Sequence, residues 1–166
     1  MNDRKFLTVM AVFDSETQSK LSKIQDYLIN NLSSGTQTMG IPFHLTLGSY
    51  PIDEIEGVIK RIKDVAHKTN SFDIKLVGYS HFGNRVFFLK PEITDDLVSL
   101  RRSFECDYAN GFEWIPHATL FCGEEDEIVK AMEIAPHLDF PVSARIVGIE
   151  LGEFFPPEKK FSIYFK

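Results

Sequence analysis

The sequence predicts an α+β fold built from two similar lobes, on three observations. Strand-like and helix-like segments alternate along all 166 residues. Their order occurs twice, as strand, helix, strand, helix, strand across residues 5–82 and again across 85–166. The middle strand of each half also carries one shared pattern, His44-Leu45-Thr46-Leu47 and His117-Ala118-Thr119-Leu120. The halves share little sequence outside it, so the repeat lies in element order. A pseudo-twofold axis between two such lobes would bring the patterned strands together across a cleft. No low-complexity linker divides the chain, which reads as a single domain over residues 1–166.

Phe6 to Phe13 is an apolar run rich in β-formers and reads as the first strand. Asp14 or Ser15 caps a helix reaching about Leu32, with Leu21, Ile24 and Leu28 on one face. Ser33-Ser34-Gly35 ends it, and a polar loop runs to Gly40. The first His-x-Thr strand covers about Phe43 to Tyr50. Pro51 and Asp53 open a second helix with Ile55, Val58, Ile59, Ile62, Val65 and Ala66 as its apolar stripe, and Asp53 and Glu56 have capping-box spacing. Strands from Phe72 to about Phe82 and from Arg85 to Leu89 meet across Gly83-Asn84, a hairpin turn. After Pro91, a helix from about Thr94 to Tyr108 carries Leu97, Leu100 and Phe104 and ends at Asn110-Gly111. The second His-x-Thr strand runs from about Phe112 to Phe121, and a helix from about Glu125 to Ala135 stops at Pro136. Strands near Ser143–Phe155 and Phe161–Lys166 close the chain around the turn Pro156-Pro157-Glu158-Lys159.

The chain is 43% hydrophobic and 25% charged, ordinary for a globular protein, and has no apolar run long enough to span a bilayer. Met1-Asn2-Asp3-Arg4-Lys5 leads straight into a strand and lacks a signal peptide's apolar core. Cys106 and Cys122 have no metal-ligand spacing and read as free thiols of a reducing compartment, so the chain is expected in the cytoplasm, off the membrane and monomeric. A net charge of −6 disfavours a protein that coats long RNA; a nucleotide or an RNA terminus needs only a local positive patch.

On a strand, residues two apart share a face, so each motif sets an imidazole beside a hydroxyl, with Leu45 and Leu47, or Ala118 and Leu120, turned the other way. A lone strand His is more often structural, and Thr is a good strand residue in its own right. The shared registration of both residues in both copies points to chemistry. Two imidazoles titrating near neutrality suit phosphodiester hydrolysis, one taking a proton from water while the other protonates the leaving oxygen. The hydroxyls would donate to the non-bridging oxygens. Two His with no third ligand make a poor zinc site, so neither metal nor cofactor is expected; His67, His81 and His137 read as solvated or structural. Neither a Gly-x-Ser-x-Gly elbow nor a phosphate-binding glycine loop is present, which sets acyl transfer low. A phosphate pocket in an acidic chain needs local cations: the candidates are Arg85, Lys90, Arg101, Arg102, Lys159 and Lys160, with Arg85, Lys159 and Lys160 favoured as rim residues.

Phe43-His44-Leu45-Thr46-Leu47 and Pro116-His117-Ala118-Thr119-Leu120, with the strand Phe6-Leu7-Thr8-Val9, resemble the two-histidine (2H) phosphoesterase superfamily. The likeness is nearest to its branch of 2′-5′ RNA ligase-like, RNA 2′,3′-cyclic phosphodiesterases. The resemblance implies a bilobal α+β fold with two antiparallel sheets facing a central groove and helices outside. It also implies metal-independent opening of a 2′,3′-cyclic phosphate or a 2′-5′ linkage, with RNA ligation in some members. By position, His44 and His117 would be the acid–base pair, Thr46 and Thr119 phosphate ligands, and Phe43 a substrate contact. Many relatives place a basic residue after the second motif; here Phe121-Cys122-Gly123 follows, which turns the expectation away from tRNA-sized ligands. A non-catalytic nucleotide- or phosphate-binding protein is the alternative of a different class, and intact His and Thr at both motifs weigh towards an enzyme.

Overall fold

A computed structural model describes residues 5–32, 40–105 and 113–166. β1 (Phe6–Phe13) is buried along nearly its whole length, as its continuous apolar run requires of a strand with neighbours on both sides. Helix α1 (Ser15–Asn30) starts where the Asp14 side chain accepts from the Thr17 amide at 2.8 Å. Leu21 and Leu28 are fully buried on its inner face, and the polar Gln25 between them is buried as well. β2 (His44–Pro51) leads through a 3-10 turn at Ile52–Glu54 into α2 (Ile55–Ala66). That turn displaces the helix start to Glu54, which caps with no side-chain hydrogen bond, so the Asp53–Glu56 capping box does not form.

β3 (Phe72–Phe82) and β4 (Val86–Pro91) make the expected hairpin, with Gly83 and Asn84 both at positive φ. α3 (Asp95–Arg102) is capped by Thr94 and is shorter than its sequence pattern predicts. Phe104 leaves the helix fully buried, and its carbonyl turns to accept from the Tyr50 hydroxyl at 2.7 Å. The expected stop at Asn110-Gly111 and the strand start at Phe112 lie outside the described residues. β5 (Ala118–Cys122) begins only after Pro116, which has no amide proton for a ladder. α4 (Glu125–Ile134) follows, where Glu127 accepts from the Glu124 amide at 2.8 Å. β6 (Val142–Phe154) and β7 (Glu158–Tyr164) end the fold; Glu158 and Lys159 belong to β7 rather than to a turn, paired with Glu153 and Gly152.

Among the described residues, seven strands join one antiparallel ladder, β2-β1-β6-β3-β4-β5, with β7 also on β6. In place of the two sheets that the resemblance implies, the strands form one sheet, because β6 pairs with both β1 and β3 and joins its two ends. The first part of β6 pairs with β3 through Ile146, and its remainder pairs with β1 and β7. The order reads the same from either end when β1, β2 and β3 are exchanged for β4, β5 and β6; among the described residues β7 has no counterpart. The sheet curls enough that its two end strands, β2 and β5, approach each other. Tyr79, Phe87 and Phe121 stack in the core beneath β3, β4 and β5, with centroids 5.9 and 5.6 Å apart. α3 packs on β2 at Gly48, where an added Cβ would collide with the Phe104 carbonyl oxygen. Gly48→Ala is therefore expected to destabilise the fold by about 1–3 kcal/mol, seen as a lower denaturation midpoint. A variant as stable as the parent would mean that β2 and the Phe104 segment do not touch.

Candidate active site

Both motif strands are built alike. Leu45, Leu47, Ala118 and Leu120 are fully buried and anchor one face, leaving His44, Thr46, His117 and Thr119 half-buried on the other. Each strand also carries a bulge at the same place. Met10 faces Thr46 while Val9 faces Gly48, which leaves Leu47 without a partner. Phe88 faces Thr119 while Phe87 faces Phe121, which leaves Leu120 without one. The imidazoles are held identically: Nδ1 of His44 lies 2.7 Å from the Pro42 carbonyl, and Nδ1 of His117 lies 2.7 Å from the Ile115 carbonyl. A carbonyl only accepts, so each Nδ1 carries a proton and each Nε2 is the nitrogen available to a substrate.

Burial lowers the pKa of His44 against the hydrogen bond to Pro42, and the charge of His117 lowers it further, so the two rings share one electrostatic site. Burial also lowers His117, opposed by its bond to Ile115. His117 stands edge-on to Phe82 at 4.8 Å between centroids and beside Phe88 at 5.2 Å.

Several contacts fix this arrangement. Gln18 of α1 brackets Phe43, accepting from its amide at 3.0 Å and donating to its carbonyl at 2.7 Å. Gln25 of the same helix donates to the Leu120 carbonyl. Arg101 of α3 donates to the Leu47 carbonyl at 2.5 Å and lies 5.5 Å over the Trp114 ring. The Trp114 indole donates to the Thr46 carbonyl at 3.0 Å, tying the segment before His117 to the first motif.

The expected substrate contacts fare differently. Phe43 packs against the hydrophobic core. Arg85 lies in the turn before β4 and pairs with Glu124. Lys159 pairs with Glu150 at 3.3 Å, and Lys160 with Glu153 and Glu158 at 2.8 and 2.9 Å. These carboxylates offset the charge that the rim residues were expected to supply, and Arg101 is spent on backbone carbonyls. Lys90 is exposed, follows Phe88 on the same face of β4, and has no carboxylate partner among the described residues. Phe82, Phe88, Gln25 and Trp114 are site residues that sequence reasoning missed. Only Gln25 left a signal, as a polar side chain interrupting the Leu21–Leu28 stripe. Among the described residues no three His, Cys, Asp or Glu gather as a metal-binding set, and no helix is long and apolar enough to cross a membrane.

A fold of this topology carrying two His-x-Thr strands matches a known class. The family model for the 2′-5′ RNA ligase superfamily covers residues 40–153, and the chain belongs to that superfamily. A Bacillus licheniformis protein with a provisional phosphoesterase name is 27% identical over 88 residues, 48% of this chain and 52% of that protein, so the chain spans about half the length of the curated relative it matches. The crystal structure of TT0787 from Thermus thermophilus superposes over 96% of this chain and 97% of its own with a TM-score of 0.65 at 17% identity. That of E. coli LigT complexed with 3′-AMP covers 98% of both chains with a TM-score of 0.65 at 12% identity. These likenesses establish the fold.

Proposed function

We propose that the protein is a metal-independent phosphoesterase that opens a 2′,3′-cyclic phosphate, or cleaves a 2′-5′ phosphodiester, on a nucleotide or RNA end. The observation that carries this reading is the duplicated cradle: two imidazoles with the same tethered Nδ1, each two residues from a threonine on its own face. Membership of the 2′-5′ RNA ligase superfamily and the phosphoesterase name of the Bacillus licheniformis relative agree with it, and the nucleotide bound to E. coli LigT supports a ligand of nucleotide size.

Burial and the charge of His117 both favour the neutral form of His44. His44 serves as the base. Its Nε2 takes a proton from water as the water oxygen bonds to phosphorus. His117, protonated on both nitrogens, gives its Nε2 proton to the ribose oxygen as the ring P–O bond breaks. A phosphomonoester and a free hydroxyl result, with the net proton passed from one histidine to the other. Thr46 and Thr119 donate to the non-bridging oxygens. Lys90 supplies positive charge on the same side of the sheet. The Phe82 and Phe88 rings offer an apolar wall beside His117.

The test is turnover of 2′,3′-cyclic mononucleotides and 2′-5′-linked dinucleotides with EDTA present. Hydrolysis that EDTA leaves intact is expected; nucleotide affinity without turnover would favour a binding protein. Both imidazoles titrate below the ordinary value, so both limbs of the pH profile of kcat/KM move to the acid side. The optimum is expected below about pH 6.5, with activity falling through neutrality as His117 loses its proton. A rate that keeps rising above neutrality would contradict the pairing of a neutral base with a protonated acid.

A further inference from the structure

We infer that Gln25 and Arg101 are reciprocal positioning residues, each reaching from one half of the fold to hold the other half's His-x-Thr strand in register. The inference rests on the two-histidine reading for its catalytic meaning, and on geometry alone for the contacts.

The bulges create the need. Leu47 and Leu120 drop out of the register, lie on the two end strands of the sheet, and are fully buried. A buried carbonyl without a donor is costly, so a side chain must reach it. For Leu120 the donor is the Gln25 amide of α1, the helix that follows β1. For Leu47 it is the Arg101 guanidinium of α3, the helix that follows β4. Each helix thus clamps the motif strand of the opposite half, on the residue directly after its threonine and three after its histidine. Within one half, backbone pairing already fixes each motif to its neighbour. Between halves, the ladder links the two motif strands only at a distance, through β1, β6, β3 and β4, whereas these crossing contacts, and the Trp114 indole that donates to the Thr46 carbonyl beneath Arg101, tie the two end strands directly. Neither Gln25 nor Arg101 touches the reacting atoms, so they act through the strands.

Positioning has a signature that packing lacks. A shift of about 1 Å between groups that must act together costs up to about 10²-fold in rate, while a single nucleotide still finds most of its contacts. Gln25→Met and Arg101→Met, each removing the donor at similar volume, are expected to lower kcat about 10–10²-fold with KM changed less than about threefold, measured well below each variant's melting temperature. Arg101→Lys retains a donor of similar reach and should recover most of kcat. As a readout free of turnover, the imidazoles are titrated by NMR with histidine labelled at its ring nitrogens. In the parent, protonation of His117 is expected to perturb His44, and in both Met variants that coupling should weaken. If both fold, with kcat and histidine titrations unchanged, the positioning role is refuted and the two side chains only satisfy carbonyls. If either Met variant fails to fold, Gln25→Glu and Arg101→Gln, whose side chain is too short to keep its donor on the Leu47 carbonyl, carry the same two readouts, and unchanged values in both refute it equally. A parent that shows the coupled titration but hydrolyses none of the cyclic phosphates refutes the proposed function and leaves the clamp standing.

Discussion

Replacing either His44 or His117 with Ala is expected to remove most cyclic phosphodiesterase activity, by a factor of about 10²–10⁴ or more. Each imidazole moves a different proton, and neither transfer can stand in for the other. Once one partner is gone, the second acts on a reaction that has already lost its concert, so the double variant should fall well short of the product of the single losses. The folded state survives because the anchors of these strands are Leu45, Leu47, Ala118 and Leu120, all on the opposite face. Stability does change with pH in a predictable sense. Both histidines bind protons less readily folded than unfolded, so their contribution is fully present above about pH 6.5 and is lost as pH falls below it. Each Ala variant should flatten that loss. A His44→Ala protein that turns over cyclic phosphates at the parental rate would rule out the two-histidine mechanism here.

The order of elements and the motif faces were legible because they rest on local pattern. Phe6–Phe13 and Phe72–Phe82 match their strands from first residue to last, and Asp14 caps α1 as its side chain allows. What could not be read are the consequences of long-range pairing. The bulges at Leu47 and Leu120 arise from register with β1 and β4, and nothing in His-x-Thr-Leu announces them. The same holds for Arg101, whose sequence position reads as a solvated cation at a helix end. Only the folded chain shows its guanidinium on the Leu47 carbonyl and the Trp114 ring. The carboxylate partners of the rim cations were hidden for a related reason. Glu124, Glu150, Glu153 and Glu158 lie near Arg85, Lys159 and Lys160 only once turns and strands have formed, and in an acidic protein a lysine more often finds a carboxylate than a phosphate.

Thr46→Val and Thr119→Val are expected to lower kcat about 10–10³-fold each, with KM rising far less. Valine keeps the branched shape that suits a strand and removes only the hydroxyl, so the change isolates one hydrogen bond to the phosphate. Negative charge grows on the non-bridging oxygens as water adds, and a donor already fixed beside them stabilises the transition state more than the ground state. That is why kcat should carry the loss. The backbone at Thr46 stays in place whatever its side chain, because its carbonyl is held by the Trp114 indole at 3.0 Å and the next carbonyl by Arg101 at 2.5 Å. The strand at Thr119 is pinned likewise, by pairing with Phe88 and by Gln25 on the following carbonyl. Thr→Ser at either site keeps the donor and should stay within about tenfold of the parent. Valine variants at both positions with undiminished kcat would mean that the hydroxyls serve the strands alone, and that the charge on the phosphate is met elsewhere in the groove.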